Sequence, residues 1–249
     1  KINFLRQKIR AGDAVLAVDY FGRLPSKEFI QFTREETAIE WIEDRAQAIA
    51  PGKAWGDYVL YSPRKLLGAP DGGVLISSKP IKALESVEAA APSADFIVPA
   101  LLRFEDKAQA YNEQWYQAYK TKEQHEKVGA KSISHVSRWI LEHTPIAPII
   151  EARKNNYKIL TKVLSDWALW PHEKIDFAPF GLPILANKSR GKILKQLHQA
   201  KIFAAVHWPD LPSEESDFSF EHELARSIIT LPCDQRYGKK DMQQIIKAF

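Results

Sequence analysis

Apolar and polar positions divide this chain into short strands with helical crossovers, then a mostly helical tract, then a second mixed tract. Ile2 to Arg10 reads as the end of a helix, followed at once by a strand over Ala14 to Tyr20. Within that strand, Val15, Leu16, Ala17 and Val18 form a continuous apolar run, the kind buried on both faces of a parallel sheet. Gly22 breaks the pattern. Pro25-Ser26 opens a helix to about Phe32 with Ser26 as N-cap, although Thr33-Arg34-Glu35-Glu36 also fits a capping box. Ala38 to Ile42, Tyr58 to Tyr61 and Val74 to Ser77 read as the next three strands, with a short irregular or helical piece at Ala46 to Ala50 stopped by Pro51-Gly52.

Residues 80 to 145 read mostly as helix, and the polar, aromatic stretch Tyr111 to Gln124 is expected to pack on a partner surface. Pro145 and Pro148 are expected to break the chain. An amphipathic helix follows, with Tyr157, Leu160, Leu164 and Trp167 on one face, ending at Trp170-Pro171. Beyond it the pattern alternates: a strand over Leu182 to Ala186, a helix over Arg190 to Ala200, a strand over Ile202 to Val206, a short helix over Glu221 to Ala225 and a strand over Ser227 to Leu231. A final helix places Met242, Ile245, Ile246 and Phe249 on one face, with Asp241 in its first turn. This order predicts an α/β fold: a mainly parallel large domain over residues 1–145 and a smaller α+β domain over residues 146–249.

Composition narrows the function classes. The chain has 249 residues, 45% of them apolar and 27% charged, as in an ordinary globular protein. Its net charge of +4 is spread without a long basic block, so nucleic-acid binding is not read from it. No apolar run is long enough to span a bilayer. The single cysteine, Cys233, excludes an internal disulfide framework and suits a reducing cytoplasm. It is expected to be a buried small apolar residue. The seven histidines show no metal-ligand spacing, and His207-Trp208-Pro209 is expected to be a packed loop. Lys1 is not an initiator methionine, and the chain opens inside an element, so a further N-terminal segment is expected.

Candidate chemistry gathers between Ile42 and Gly73. Ligands of open α/β sheets collect outside the carboxyl ends of the strands, and Asp19, Asp44 and Ser62 each stand at such an end. Ser62-Pro63-Arg64-Lys65 is a Ser-x-x-Lys unit followed by the Gly72-Gly73 pair. The same unit serves as a serine nucleophile in β-lactamases, but no Ser-Asp-Asn or Lys-Thr-Gly partner accompanies it. A lysine, an aspartate and a serine in this order suit pyridoxal 5'-phosphate (PLP). The Lys65 amine can condense with its aldehyde, Asp44 can pair with the ring nitrogen, Gln47 can reach the phenolic oxygen, and Ser62 can contact the phosphate. Each also has a plainer reading: a solvated loop lysine, a turn aspartate, a surface amide, and a turn serine before proline. Gly68, Gly72 and Gly73 allow either close backbone approach or a simple loop.

Taken in order, these segments resemble the DegT/DnrJ family of sugar aminotransferases, which share the aspartate-aminotransferase, or type I PLP-dependent transferase, fold. Asp19-Tyr20-Phe21-Gly22 resembles that family's strand end before its crossover helix. Ile42-Glu43-Asp44-Arg45-Ala46-Gln47 resembles its Glu-Asp-x-Ala-Gln motif, Gly56-Asp57 with Tyr61-Ser62 its Gly-Asp and Phe-Ser pair, and Lys65 with Gly72-Gly73 its Schiff-base lysine and glycines. The C-terminal part is similar as well, from Leu197 through His207-Trp208 and Leu231-Pro232 to Asp241-Met242. The resemblance implies a cytoplasmic homodimer that moves an amino group, commonly from glutamate, to a keto sugar carried on a nucleotide. By it, Lys65 is the catalytic residue, and Asp44, Gln47, Ser62 and Lys65 bind PLP.

Two departures stand beside it. The family has more residues between its serine and lysine, and its N-terminal segment, which supplies phosphate-binding amides and an aromatic ring stacking on the cofactor, has no counterpart in these residues. The alternative is therefore a non-catalytic or truncated relative acting as a dimerising or binding scaffold. A PLP dehydratase on the same fold is a third reading, opposed by lysine rather than histidine at position 65.

Overall fold

The computed structural model describes residues 2–49, 52–81, 94–106, 112–125, 131–171, 175–186 and 190–249. Expectations for Ala50, Pro51, His172 and the helical reading of 82–93, 107–111 and 126–130 lie outside them. The chain forms two compact units. One comprises Lys1–Val18, Ser26–Ala46 and Ala54–Thr144, and the other Asp19–Pro25, Gln47–Lys53 and Pro145–Phe249.

The first unit is built on four strands. They are β1 (Ala14–Val18), β2 (Glu40–Asp44), β3 (Tyr58–Tyr61) and β4 (Val74–Ser77), in that spatial order. β1, β2 and β3 run parallel, with Val18 opposite Asp44 and Asp44 opposite Leu60, whereas β4 returns antiparallel with Val74 opposite Tyr61. Helix α1 (Ile2–Lys8) precedes β1, and helix α2 (Lys27–Glu35) lies between β1 and β2 in the chain. Ser26 caps α2 as expected, its hydroxyl accepting the Phe29 N–H at 3.2 Å. The alternative start at Thr33 fails because Thr33 lies inside the helix, its hydroxyl donating back to the Ile30 carbonyl.

Phe32, Ile39 and Trp41 form the buried apolar cluster of this unit, edged by Leu5, Val15, Phe29 and Trp55. The aromatic rings meet edge to face, Phe32 and Trp41 with centroids 5.7 Å apart and Phe29 and Trp55 5.5 Å apart. β1 corrects one expectation. It is a parallel strand, but Leu16 is 53% exposed. β1 lies at the end of the strand order, pairs with β2 alone among the described residues and has no buried residue, so it is not the doubly covered strand that the apolar run suggested. Helices α3 (Ala94–Glu105), α4 (Asn112–His125) and α5 (His135–His143) follow, in line with the helical reading.

The second unit centres on a two-stranded antiparallel sheet, β5 (Leu182–Leu185) with β6 (Ile228–Leu231), Leu182 opposite Leu231. Helix α6 (Ile146–Val163) buries Tyr157 and Leu160, and Leu164 continues the same face past its end. Pro145 stands in the break between α5 and α6, as expected, whereas Pro148 does not break the chain. Pro145 is the N-cap of α6 and Pro148 sits in its first turn, where a backbone N–H has no intrahelical partner to lose. Helices α7 (Arg190–Gln199), α8 (Ser219–Ser227) and α9 (Lys239–Lys247) complete the unit. Ile193 and Leu197 from α7 and Met242 and Ile245 from α9 join the core. The expected strand over Ile202 to Val206 is reduced to a single bridge, Ala205 with Thr230. Lys201 (φ 58°) and Trp208 (φ 48°) turn the backbone left-handed on either side of this stretch.

Candidate functional site

Asp44 ends β2, and Ser62 follows the end of β3, so both stand at the carboxyl ends of neighbouring parallel strands. The Asp44 carboxylate accepts the Ala46 N–H at 2.8 Å, a tight local turn that fixes the chain leaving the strand. Ser62 leads into a single 3₁₀ turn, Pro63–Lys65, with proline in its first position. The turn is closed by the Lys65 N–H to the Ser62 carbonyl at 3.1 Å and anchored by buried Leu66. Lys65 itself is exposed. The β2–β3 pair thus brings Asp44, Ser62 and Lys65 to one sheet end.

Gln47 belongs to the other unit and is buried there. Its side-chain oxygen accepts the Phe21 N–H at 2.7 Å. Phe21 adopts φ 60°, a conformation that costs a non-glycine residue about 1–3 kcal/mol and persists because its surroundings determine it. Gly22 beside it has φ 83°, and a Cβ there would meet the Gln47 carbonyl at 2.9 Å and the Ala178 carbonyl at 3.1 Å. The pattern break read at Gly22 is therefore both a left-handed turn and a close approach.

Beneath Asp44 lies a network that the motif reading passed over. β2 alternates, turning Trp41 and Glu43 to a buried face and Ile42 and Asp44 to the other. Arg45 continues the buried register and is 1% exposed, with Glu43 at 0%. Arg45 Nε donates to one Glu43 oxygen, and the other accepts the Trp55 and Gly56 N–H groups at 2.9 and 3.1 Å. Arg45 Nη1 donates to the Tyr61 hydroxyl at 2.9 Å. Burial works against the Arg45 charge, but the hydrogen bonds to Tyr61 and Glu43 outweigh it and hold the guanidinium above its ordinary range. Gly56 is required here, since a Cβ would sit 2.8 Å from the Glu43 Cβ. The signal was present as a period of two, Trp41-x-Glu43-x-Arg45, which carries two charges into an inward register.

The second unit holds its own buried polar groups. Arg153 donates to Gln235 at 2.8 Å and to the carbonyls of Pro179 and Phe180 at 3.0 and 3.2 Å. Asn156 serves the carbonyls of Cys233, Asp234 and Tyr237. Cys233 is fully buried, and burial pushes its thiol up to about 12, which removes it as a thiolate nucleophile. His207 packs between Phe21 and Phe180, with Nδ1 2.8 Å from the Thr230 hydroxyl. Among the described residues, no group of three or more His, Cys, Asp or Glu could hold a metal ion, and no helix is long and apolar enough to cross a membrane.

The donor set fits PLP in kind. Asp44 offers a carboxylate to a pyridinium nitrogen, Lys65 an amine on an exposed turn, and Ser62 a hydroxyl at a strand end. Gln47 has its oxygen committed to Phe21, so its amide nitrogen is the end suited to a phenolic oxygen.

No family model and no curated protein matches the sequence. Solved structures do. A DegT DnrJ EryC1 StrS aminotransferase from Brucella abortus is 18% identical, with a TM-score of 0.62 over 99% of this chain and 66% of its own. The aminotransferase TlmJ from Streptoalloteichus hindustanus is 16% identical, with a TM-score of 0.64 over 99% of this chain and 68% of its own. Spr1654 from Streptococcus pneumoniae, assigned as a sugar aminotransferase and solved in its PLP form, is 14% identical, with a TM-score of 0.63 over 99% and 70%. The chain spans about two thirds of the length of these proteins. Its fold, an α/β architecture with a mostly parallel sheet, is that of the DegT/DnrJ/EryC1/StrS aminotransferases.

Proposed function

We propose that this chain belongs to a PLP-dependent sugar aminotransferase, which moves an amino group from an amino acid, glutamate, to a keto sugar carried on a nucleotide. The carrying observation is the β2–β3 pair, which sets Asp44 beside the Ser62–Lys65 turn at one end of a parallel sheet. The shared fold supports it. Bound PLP supplies an electron sink for a carbanion at the amino-bearing carbon.

The protein's residues do the rest. Lys65 would hold the cofactor through its amine, and the same amine, when free, could hold or move a proton at the substrate carbon. Asp44 keeps the pyridine nitrogen protonated, Ser62 donates to the phosphate, and Gln47 donates to the phenolic oxygen. Residues 1–145 form the cofactor-binding domain and 146–249 the small domain. We assign the protein to the cytoplasm, in keeping with its single, buried thiol. A homodimer accords with the exposed apolar residues Val74, Leu75 and Ile76 on β4.

The test is to incubate the complete gene product with PLP, reduce with borohydride and map the labelled peptide. The expected result is one pyridoxyl group on Lys65, absent in Lys65→Ala, and a visible absorption band that glutamate removes. A folded protein with no label, or with label spread over surface lysines, overturns the enzyme reading in favour of the non-catalytic scaffold.

A further inference from the structure

Three of the candidate residues, Asp44, Ser62 and Lys65, lie at or just after the ends of β2 and β3, and their chemistry depends on how those strand ends are held together. A backbone ladder does part of this, with the Arg45 N–H donating to the Leu60 carbonyl at 2.8 Å. The side chains add more. Glu43 is tied to the Trp55–Gly56 segment that enters β3, Arg45 is tied to Glu43, and Arg45 also reaches the Tyr61 hydroxyl at 2.9 Å. Each member adjoins a candidate residue in the chain: Glu43 and Arg45 flank Asp44, and Tyr61 precedes Ser62. A buried ion pair contributes little to net stability against an apolar alternative of the same volume, but it holds a single geometry. The planar guanidinium, with donors in a fixed fork, suits that task better than an ammonium.

We infer that Glu43, Arg45 and Tyr61 act together as positioning residues that fix the end of β2 against the end of β3, and with it Asp44 relative to the Ser62–Lys65 turn. This role rests on the cofactor reading given above. None of the three is assigned a contact with the reacting atoms in that reading. They act through the residues beside them.

The test compares the complete protein with Tyr61→Phe, which deletes only a hydroxyl, and Arg45→Lys, which keeps the charge and loses the fork. Two readouts are needed: amide hydrogen exchange at residues 44–46 and 58–66, and PLP affinity with the pH midpoint of the bound cofactor's visible band. In Tyr61→Phe, exchange at those amides is expected to quicken about tenfold and PLP affinity to fall about tenfold, the loss of one hydrogen bond to a charged group. The band midpoint is expected to shift, and Arg45→Lys to change all three further. Unchanged exchange in both variants means that the clamp does not exist, whatever the cofactor does. Faster exchange with unaltered affinity and midpoint reduces the network to a structural role and overturns the inference. A wild-type protein that takes up no PLP removes the functional reading itself, and the positioning role with it.

Discussion

The two units bury different kinds of side chain. In the C-terminal unit the fully buried residues are apolar almost throughout, with Leu160, Leu182, Ile184, Leu197, Ile229, Leu231 and Met242 in one cluster. Two of its buried polar groups, Arg153 and Asn156, spend most of their donors on backbone carbonyls. In the N-terminal unit the apolar cluster is small, and Glu43 and Arg45 are among its most buried side chains. Large apolar residues, including Leu16, Leu75, Ile76 and Phe104, are meanwhile exposed. One unit uses buried polarity to staple its own loops. The other uses buried Glu43 and Arg45 to tie the end of β2 to β3 and to the segment that enters it.

The contrast can be broken by mutation. The largest expected effect is in the N-terminal unit: Arg45→Met leaves Glu43 buried without its cation and should cost about 3–5 kcal/mol. Denaturant unfolding of the variant measures it, and a loss near zero would mean that the ion pair is not buried in solution. Leu160→Ala in the C-terminal core should cost about 2–5 kcal/mol, read in the same way.

Asp234 gives a pH dependence specific to the C-terminal unit. Burial raises its carboxyl, but the hydrogen bonds from Arg236 more than offset this and hold it below the usual range. A folded value below the unfolded one adds stability that is present above the unfolded value of about 3.9 and is lost as pH falls through the folded one. Asp234→Asn should therefore flatten the acid limb of a stability-against-pH curve, and an unaltered limb would contradict the pairing. Ser26→Ala, which removes the cap of α2, should cost about 1 kcal/mol by thermal unfolding. The smallest effect is expected on β4, where Leu75→Thr at an exposed position should change stability by no more than about 0.5 kcal/mol. A larger loss in a concentration-dependent melt would show that a partner covers that face.

Much of this was legible along the chain, and the reasons differ by element. The periods that mark helices and strands placed α2, β3, β5, α7 and α9 within a few residues, because their apolar positions face a core, and the apolar run placed β4 although Val74, Leu75 and Ile76 are exposed. Ser26 was readable as a cap because the signal is local. The stretch Ile202 to Val206 was not, since a strand needs a ladder, and among the described residues this stretch makes a single bridge, Ala205 with Thr230. Leu16 looked buried because its neighbours are apolar, yet burial depends on what covers a sheet face. Asp44, Ser62 and Lys65 were readable as candidates by residue type and order. Their shared place at one sheet end is set by the β2–β3 register.

The sequence by itself determined the α/β class, the element order and the candidate chemistry, since all three depend on period, local capping and residue type. Tertiary structure alone decided that Glu43, Arg45 and Tyr61 form one buried network, and that the Gln47 oxygen is held by a backbone N–H twenty-six positions earlier. The physical reason is that a charge tolerates burial only where distant parts of the chain bring its partners to it. Those partners are chosen by strand register and loop closure, and neither is written in any one segment.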